Sequence, residues 1–181
     1  MGIIKKLDDN LVNQIAAGEV VERPASVVKE LLENSIDASA SYIEVAITEG
    51  GKSLIEVVDN GVGMDKEDLV ACLDRHATSK ISGKDLVNIN TFGFRGEALP
   101  SIGSISDIKI DSFTKGDPNG WSISLKNGNA EVIEPSSIRS GTKIRVTELF
   151  DRIPARLKFL KMTSLDPLIN SLFFAVFFLK T

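Results

Sequence analysis

The chain has 181 residues, 43% of them apolar, which gives room for one well-buried domain and excludes a disordered polymer. A net charge of −4 excludes nucleic-acid binding by bulk charge, so any such contact needs a local basic patch. The single cysteine, Cys72, excludes an internal disulfide, and with no basic-then-apolar leader after Met1 the expected setting is a reducing cytoplasm.

In chain order, Asp8 to Ala17 reads as a short helix closed by Gly18. A second helix opens at "RPAS", where Pro24 sits in a first turn that has no use for its missing N–H, and it runs to about Ala38. Val27, Val28, Leu31, Leu32 and Ser35 cover one side of it; Ser26, Glu30, Glu33, Asn34 and Asp37 cover the other. Tyr42 to Thr48 alternates as a strand, "GGK" turns, and Leu54 to Asp59 returns as a second strand. Asp65 to His76 has helical spacing, Ile81 to Arg95 is loop-rich, and another helix starts near Gly96.

From Ser106 onward "DIKIDSF", "WSISLKN", "AEVIEP" and "TKIRVTEL" read as strands separated by "DPNG", "NGN" and "SG" turns. Leu168 to Leu179, "LINSLFFAVFFL", is a dozen residues, well short of the roughly 20 that span a bilayer, and is expected as a buried helix. Early helices and later hairpins predict an α+β fold, a two-layer sandwich with helices on one face of a mixed, mostly antiparallel sheet.

The second helix raises an electrostatic question. Glu30, Asn34 and Asp37 fall at i, i+4 and i+7 beside Glu33, with only Lys29 nearby as a cation. Such a face is either a solvated surface or, given the asparagine among the carboxylates and the motif that follows, part of a site. "DNGVGM", Asp59 to Met64, is an Asn-Gly turn at a strand end, or a pocket in which Asp59 accepts hydrogen bonds. An ionised carboxylate there would hold the exocyclic amine of adenine and repel the carbonyl oxygen of guanine.

"AITEGGKS" resembles a phosphate loop, but a strand follows it where a working loop opens a helix, so it reads as a hairpin turn. "GVGMDK" lacks the third glycine of a dinucleotide fingerprint. "FGFRGEAL", Phe92 to Leu99, is the better phosphate candidate, because two glycines bracket Arg95 just before a helix start; a plain loop with a cap is the other reading. "RHATSKI" places Thr78, Ser79 and Lys80 after a helix. One histidine and one cysteine support neither a nucleophile triad nor a metal cluster.

Taken together, "NQIAAGEVVERPASVVKELLENSIDA", "DNGVGM", "RHATSKI", "FGFRGEAL" and "SGT" resemble the amino-terminal ATPase region of the MutL family of DNA mismatch repair proteins. That family lies in the GHKL superfamily, with its Bergerat-type ATP-binding fold. The likeness runs from about Leu7 to Lys161 and implies an ATP-binding domain over residues 1–161, followed by an atypical apolar tail over 162–181.

By the resemblance Glu30 is the general base, Asn34 holds Mg²⁺, Asp59 accepts the adenine amine and Gly63 lies close to the base. Thr78, Ser79 and Lys80 line the nucleotide. Gly93, Phe94, Arg95, Gly96, Glu97, Ala98 and Leu99 form a lid around the phosphates, and Thr142 supports the adenine pocket.

It also implies ATP and Mg²⁺ as cofactors and weak hydrolysis that gates contacts with DNA and with mismatch-recognition and downstream repair proteins. The full-length family forms an ATP-dependent homodimer, and no membrane partner is implied. A non-hydrolysing ATP-binding module and another GHKL member, such as a kinase catalytic domain, are the alternatives. Arg152, Arg156, Lys158 and Lys161 in "RIPARLKFLK" read either as a DNA-facing patch or as a solvated helix flank.

The sequence departs from the family pattern at Ser39, where glycine is usual, and at Pro100, where alanine is commoner. It also departs after Lys161, where a lysine-bearing subdomain and a dimerisation domain are expected. The expectation is therefore a truncated chain.

Overall fold

Alternation in the strands sorts side chains into rows, and the rows decide what lies beneath the helices. The structure, a computed structural model, describes residues 4–80, 91–163 and 173–179. Five helices are described: α1 (Asp9–Val20), α2 (Pro24–Asp37), α3 (Lys66–Ala71), α4 (Ala98–Ile105) and α5 (Pro154–Thr163). The strands are β1 (Tyr42–Thr48), β2 (Leu54–Asp59), β3 (Asp107–Phe113), β4 (Gly120–Lys126), β5 (Asn129–Ala130), β6 (Glu134–Ser136), β7 (Gly141–Thr147) and β8 (Phe173–Phe178). They form one sheet in the order β5-β4-β3-β7-β2-β1-β8, with β6 also on β4, and every pairing among the described residues is antiparallel. This is the α+β architecture expected of a GHKL domain.

Register aligns Val45, Val57, Ile144, Ile110 and Ile123 in one buried row, and Ile55, Val146, Ile108 and Leu125 in the next. Each such side chain withdrawn from water contributes about 1.5–3 kcal/mol, so these rows anchor the helical layer. Helix α2 lays Val27, Leu31 and Ser35 onto this face. Its outward side is left to Glu30, Asn34 and Asp37, the arrangement that the helical spacing predicted. The third row, Ile43, Asp59, Thr142, Ser112 and Trp121, turns polar in its middle. That change of character creates a hollow at one end of the sandwich.

Four local expectations are corrected. Helix α1 does not close at Gly18 but continues to Val20, because the Arg156 guanidinium donates to the carbonyls of Gly18 (2.6 Å) and Val21 (2.9 Å) and satisfies its terminus. Helix α3 stops at Ala71 rather than His76. Its tail tightens through Leu73 N–H to Val70 O and Asp74 N–H to Ala71 O, and His76 adopts a positive φ of 64°. "AEVIEP" is split into the short strands β5 and β6 on the edge of β4.

The Phe-rich tail is not a helix: β8 pairs with β1, Tyr42 opposite Phe178 and Ile47 opposite Phe173. An open edge on β1 needs hydrogen-bond partners, and a run of aromatic and β-branched residues fits a pleated strand. Residues 168–172 of that expected helix lie outside the described residues. Among the described residues no helix is long and apolar enough to cross a membrane.

Two family departures find their place here. Pro100 is the third residue of α4, inside the first turn, so no helical hydrogen bond is lost. Ser39 follows α2 with φ 59°, a left-handed conformation that costs a side-chain-bearing residue about 1–2 kcal/mol. Ser39→Gly should therefore raise stability by about 0.5–1 kcal/mol after the greater chain entropy of unfolded glycine is subtracted. A urea midpoint that stays put or falls would show that no strain is stored at this turn.

Candidate functional site

Between α2 and the polar end of the sheet lies a cleft of about 1110 Å³. Its walls include Glu30, Asn34, Asp59, Gly63, Thr78, Ser79, Lys80, Gly93, Phe94, Arg95, Gly96, Glu97, Ala98, Leu99 and Thr142. Every nucleotide-site residue expected from the sequence thus borders one cavity. Its volume lies just above the roughly 300–1,000 Å³ of most small-molecule pockets, so it has room for such a ligand.

Asp59 is placed by the last pairing of β2, opposite Thr142 of β7. Its Oδ2 accepts the Ser35 hydroxyl at 2.9 Å, while Oδ1 accepts the N–H of Gly61 (2.9 Å) and of Thr142 (3.3 Å). Burial pushes the Asp59 carboxyl above the ordinary carboxylate range, and the donors from Gly61, Ser35 and Thr142 only partly hold it back. Ser112 braces the same row. Its Oγ accepts the Met64 N–H at 2.8 Å and lies 2.9 Å from Thr142 Oγ1, fastening the "DNGVGM" loop to β3. Gly63, at φ 71°, leaves no room for a side chain, since a Cβ would lie 2.0 Å from the Phe113 carbonyl oxygen.

On α2 two cations partly offset the three carboxylates of the crowded acidic face. Lys29 Nζ lies 2.8 Å from Glu33 and 3.5 Å from Glu30. Lys80 Nζ, reaching in from the segment after α3, lies 2.6 Å from Asp37 Oδ2 and donates to Asn34 Oδ1 at 2.8 Å. Asp37 also accepts the N–H groups of Phe92 (2.9 Å) and Gly93 (3.2 Å). Burial alone would raise the Asp37 carboxyl, but Lys80 first, then the two backbone donors, carry it below its ordinary value.

The glycine segment and the "RHATSKI" turn support each other. The His76 N–H donates to Gly96 O at 3.0 Å, and the His76 imidazole lies 3.3 Å from the Glu97 carboxylate. Gly96 takes φ 63°, with its Cα so close to the Ala77 carbonyl that a Cβ would sit 2.3 Å from it. Thr78 Oγ1 accepts the Lys80 N–H at 3.2 Å. Arg95 is exposed, with its guanidinium 5.5 Å from the centre of the Phe94 ring.

The suggested DNA patch fares differently. Arg152 is tied to the Ser106 carbonyl and paired with Asp107, and Arg156 caps α1 while lying over the Phe150 ring. These two guanidinium groups are engaged within the fold. Lys158 is exposed, and the Lys161 side chain lies outside the described residues. Sequence reasoning missed Asp37, Ser35 and Ser112 as parts of the site. Only Asp37 carried a signal, its place on the same helical face as Glu30 and Asn34.

Comparison with known proteins identifies the family. The family of histidine kinase-, DNA gyrase B- and HSP90-like ATPases matches residues 22–150. The DNA mismatch repair protein MutL of Lactococcus lactis subsp. lactis (strain IL1403) is 57% identical over 162 residues, covering 89% of this chain and 25% of the relative. MutL of Rhodopseudomonas palustris (strain HaA2) is 50% identical over 158 residues, 87% of this chain and 26% of the relative. The chain thus spans about a quarter of the length of these curated relatives.

Among solved structures, the Aquifex aeolicus MutL ATPase domain complexed with ADP superposes with TM-score 0.61 and 35% identity, over 77% of this chain and 48% of that one. The N-terminal domain of a DNA repair protein superposes with TM-score 0.70 and 33% identity, over 84% of this chain and 43% of that one. The chain therefore belongs to the histidine kinase-, DNA gyrase B- and HSP90-like ATPase family, where its likeness is to the ATPase region of MutL mismatch repair proteins.

Proposed function

We propose that this chain binds ATP with Mg²⁺ in the cleft between α2 and the sheet and hydrolyses it slowly, as the nucleotide-gated switch of a DNA mismatch repair protein. The observation that carries this reading is the convergence of Glu30, Asn34 and Asp59, from two elements, on one cavity bordered by the glycine segment. Asp59, already held by three donors from the protein, keeps acceptor capacity for an adenine amine. Thr78, Ser79 and Lys80 and the backbone of Gly93 to Leu99 stand along the remainder of the cleft, where a phosphate tail would extend.

The donor chemistry fits magnesium. Asn34 offers a hard carboxamide oxygen, which Mg²⁺ would take over from the Lys80 ammonium as Lys80 turns to the phosphates, and magnesium takes few protein ligands beside phosphate and water oxygens. When bound, Mg²⁺ would neutralise phosphate charge. Glu30 would orient and deprotonate the attacking water, and Lys80 would complement the anionic tail. Contact with DNA and repair partners, and ATP-dependent pairing of two copies, belong to the same reading. They rest on the mismatch repair relatives and not on the engaged Arg152 and Arg156.

Binding titrations with ATP and GTP, joined to a phosphate-release assay, test it. ATP is expected to bind at least tenfold more tightly than GTP, with slow release of phosphate only when Mg²⁺ is present. Equal affinity for the two nucleotides would overturn the base pocket. Firm ATP binding with no release would leave a binding module without turnover.

A further inference from the structure

Asp37 is a carboxylate on the cleft wall to which the proposed chemistry gives no task. Its side chain is only 5% exposed, yet it makes three polar contacts with two segments distant in sequence. Oδ2 meets Lys80 Nζ at 2.6 Å and the Gly93 N–H at 3.2 Å, while Oδ1 meets the Phe92 N–H at 2.9 Å. Lys80 in turn reaches Asn34 Oδ1, so a single network joins α2, the turn after α3 and the glycine segment. Hydrogen bonds to a charged acceptor are about twice as strong as neutral ones. The His76 contacts hold the Gly96 end of the glycine segment, while at its start Asp37 accepts both the Phe92 and Gly93 N–H groups, and Phe92 itself is 64% exposed.

We infer that Asp37 is the positioning residue of the lid: its carboxylate fixes the Phe92–Gly93 backbone and the Lys80 ammonium at the phosphate end of the cleft before nucleotide arrives. The inference rests on the nucleotide reading above. Groups ordered in advance need not be immobilised during binding, so affinity for the phosphate tail rises. Asp37 and Asp59 share no hydrogen-bond donor, so Asp37 should act on ATP and not on the bare nucleoside.

Asp37→Asn keeps the shape and removes the charge. In the full chain, hydrogen exchange over a peptide covering residues 91–97 should speed up about tenfold or more, and ATP affinity should fall about tenfold or more, while adenosine affinity stays unchanged. Asp37→Ser serves the same comparison should the first variant fail to fold. Unaltered exchange, tighter ATP binding or an equal loss for adenosine and ATP would each overturn the assignment. Should the wild-type chain bind neither compound, the nucleotide reading fails, and the exchange measurement by itself still decides whether Asp37 holds the lid.

Discussion

Asp59→Asn is expected to abolish adenine recognition while leaving the fold as stable as before, or more so. In the substituted side chain the carboxamide oxygen can still accept the N–H groups of Gly61 and Thr142. Its NH₂ can donate to the Ser35 hydroxyl oxygen, since that hydroxyl has an alternative acceptor in the Leu31 carbonyl at 3.1 Å. Folding then loses no hydrogen bond and no longer has to bury a charge. Binding loses its acceptor: a donor now confronts the adenine amine, and a mismatched buried polar pair costs about 3 kcal/mol or more, roughly a hundredfold in affinity.

The pH dependence carries a definite sign. A carboxyl whose value is raised by folding, as that of Asp59 is, favours the folded state below the unfolded value near 3.9, and this contribution is lost as pH rises through the folded value. The stability of Asp59→Asn relative to wild type should therefore grow with pH across that window. Calorimetric titration with ATP and urea unfolding between about pH 4 and 7 check both halves. A variant that unfolds as it loses ATP would reduce Asp59 to a structural residue.

Glu30→Gln should separate binding from chemistry. Glutamine preserves length and polarity but cannot take a proton from water, and loss of a general base lowers turnover by about 10²–10⁴-fold. Glu30 contributes nothing to the buried core and is offset only by Lys29 at 3.5 Å, so folding should be unaffected. ATP affinity should be held, because the base acts on the water and not on the nucleotide. Single-turnover phosphate release beside equilibrium binding is the measurement. Turnover within a few-fold of wild type would remove Glu30 from the reaction, and a parallel fall in affinity would make it a binding group.

The legibility of the fold in the sequence varied with how local the cause was. Strands β1 and β2 and helix α2 were readable to the residue or nearly so, because alternation, helical spacing and Pro24 act within a few residues. The extent of α1 was not readable, since its end depends on Arg156, more than a hundred residues away in the chain. The apolar tail misled for a similar reason. A dozen apolar residues fit a buried helix as well as a strand, and the unpaired edge of β1 settles which one forms.

For the site, residue types and local spacing marked Glu30, Asn34 and Asp59, and the motif strings pointed to the family. What no local pattern could supply was the pairing of distant groups. Lys80 meets Asp37 across 43 positions, Gly93 meets it across 56, and Asp59 meets Thr142 across 83. Sequence determined the inventory of this cleft and the faces on which its members stand, because helix and strand periodicities are properties of neighbours. Tertiary structure decided which charges neutralise one another, and which arginines serve the fold instead of a ligand. Those outcomes depend on distance in space, and chain position does not encode that distance.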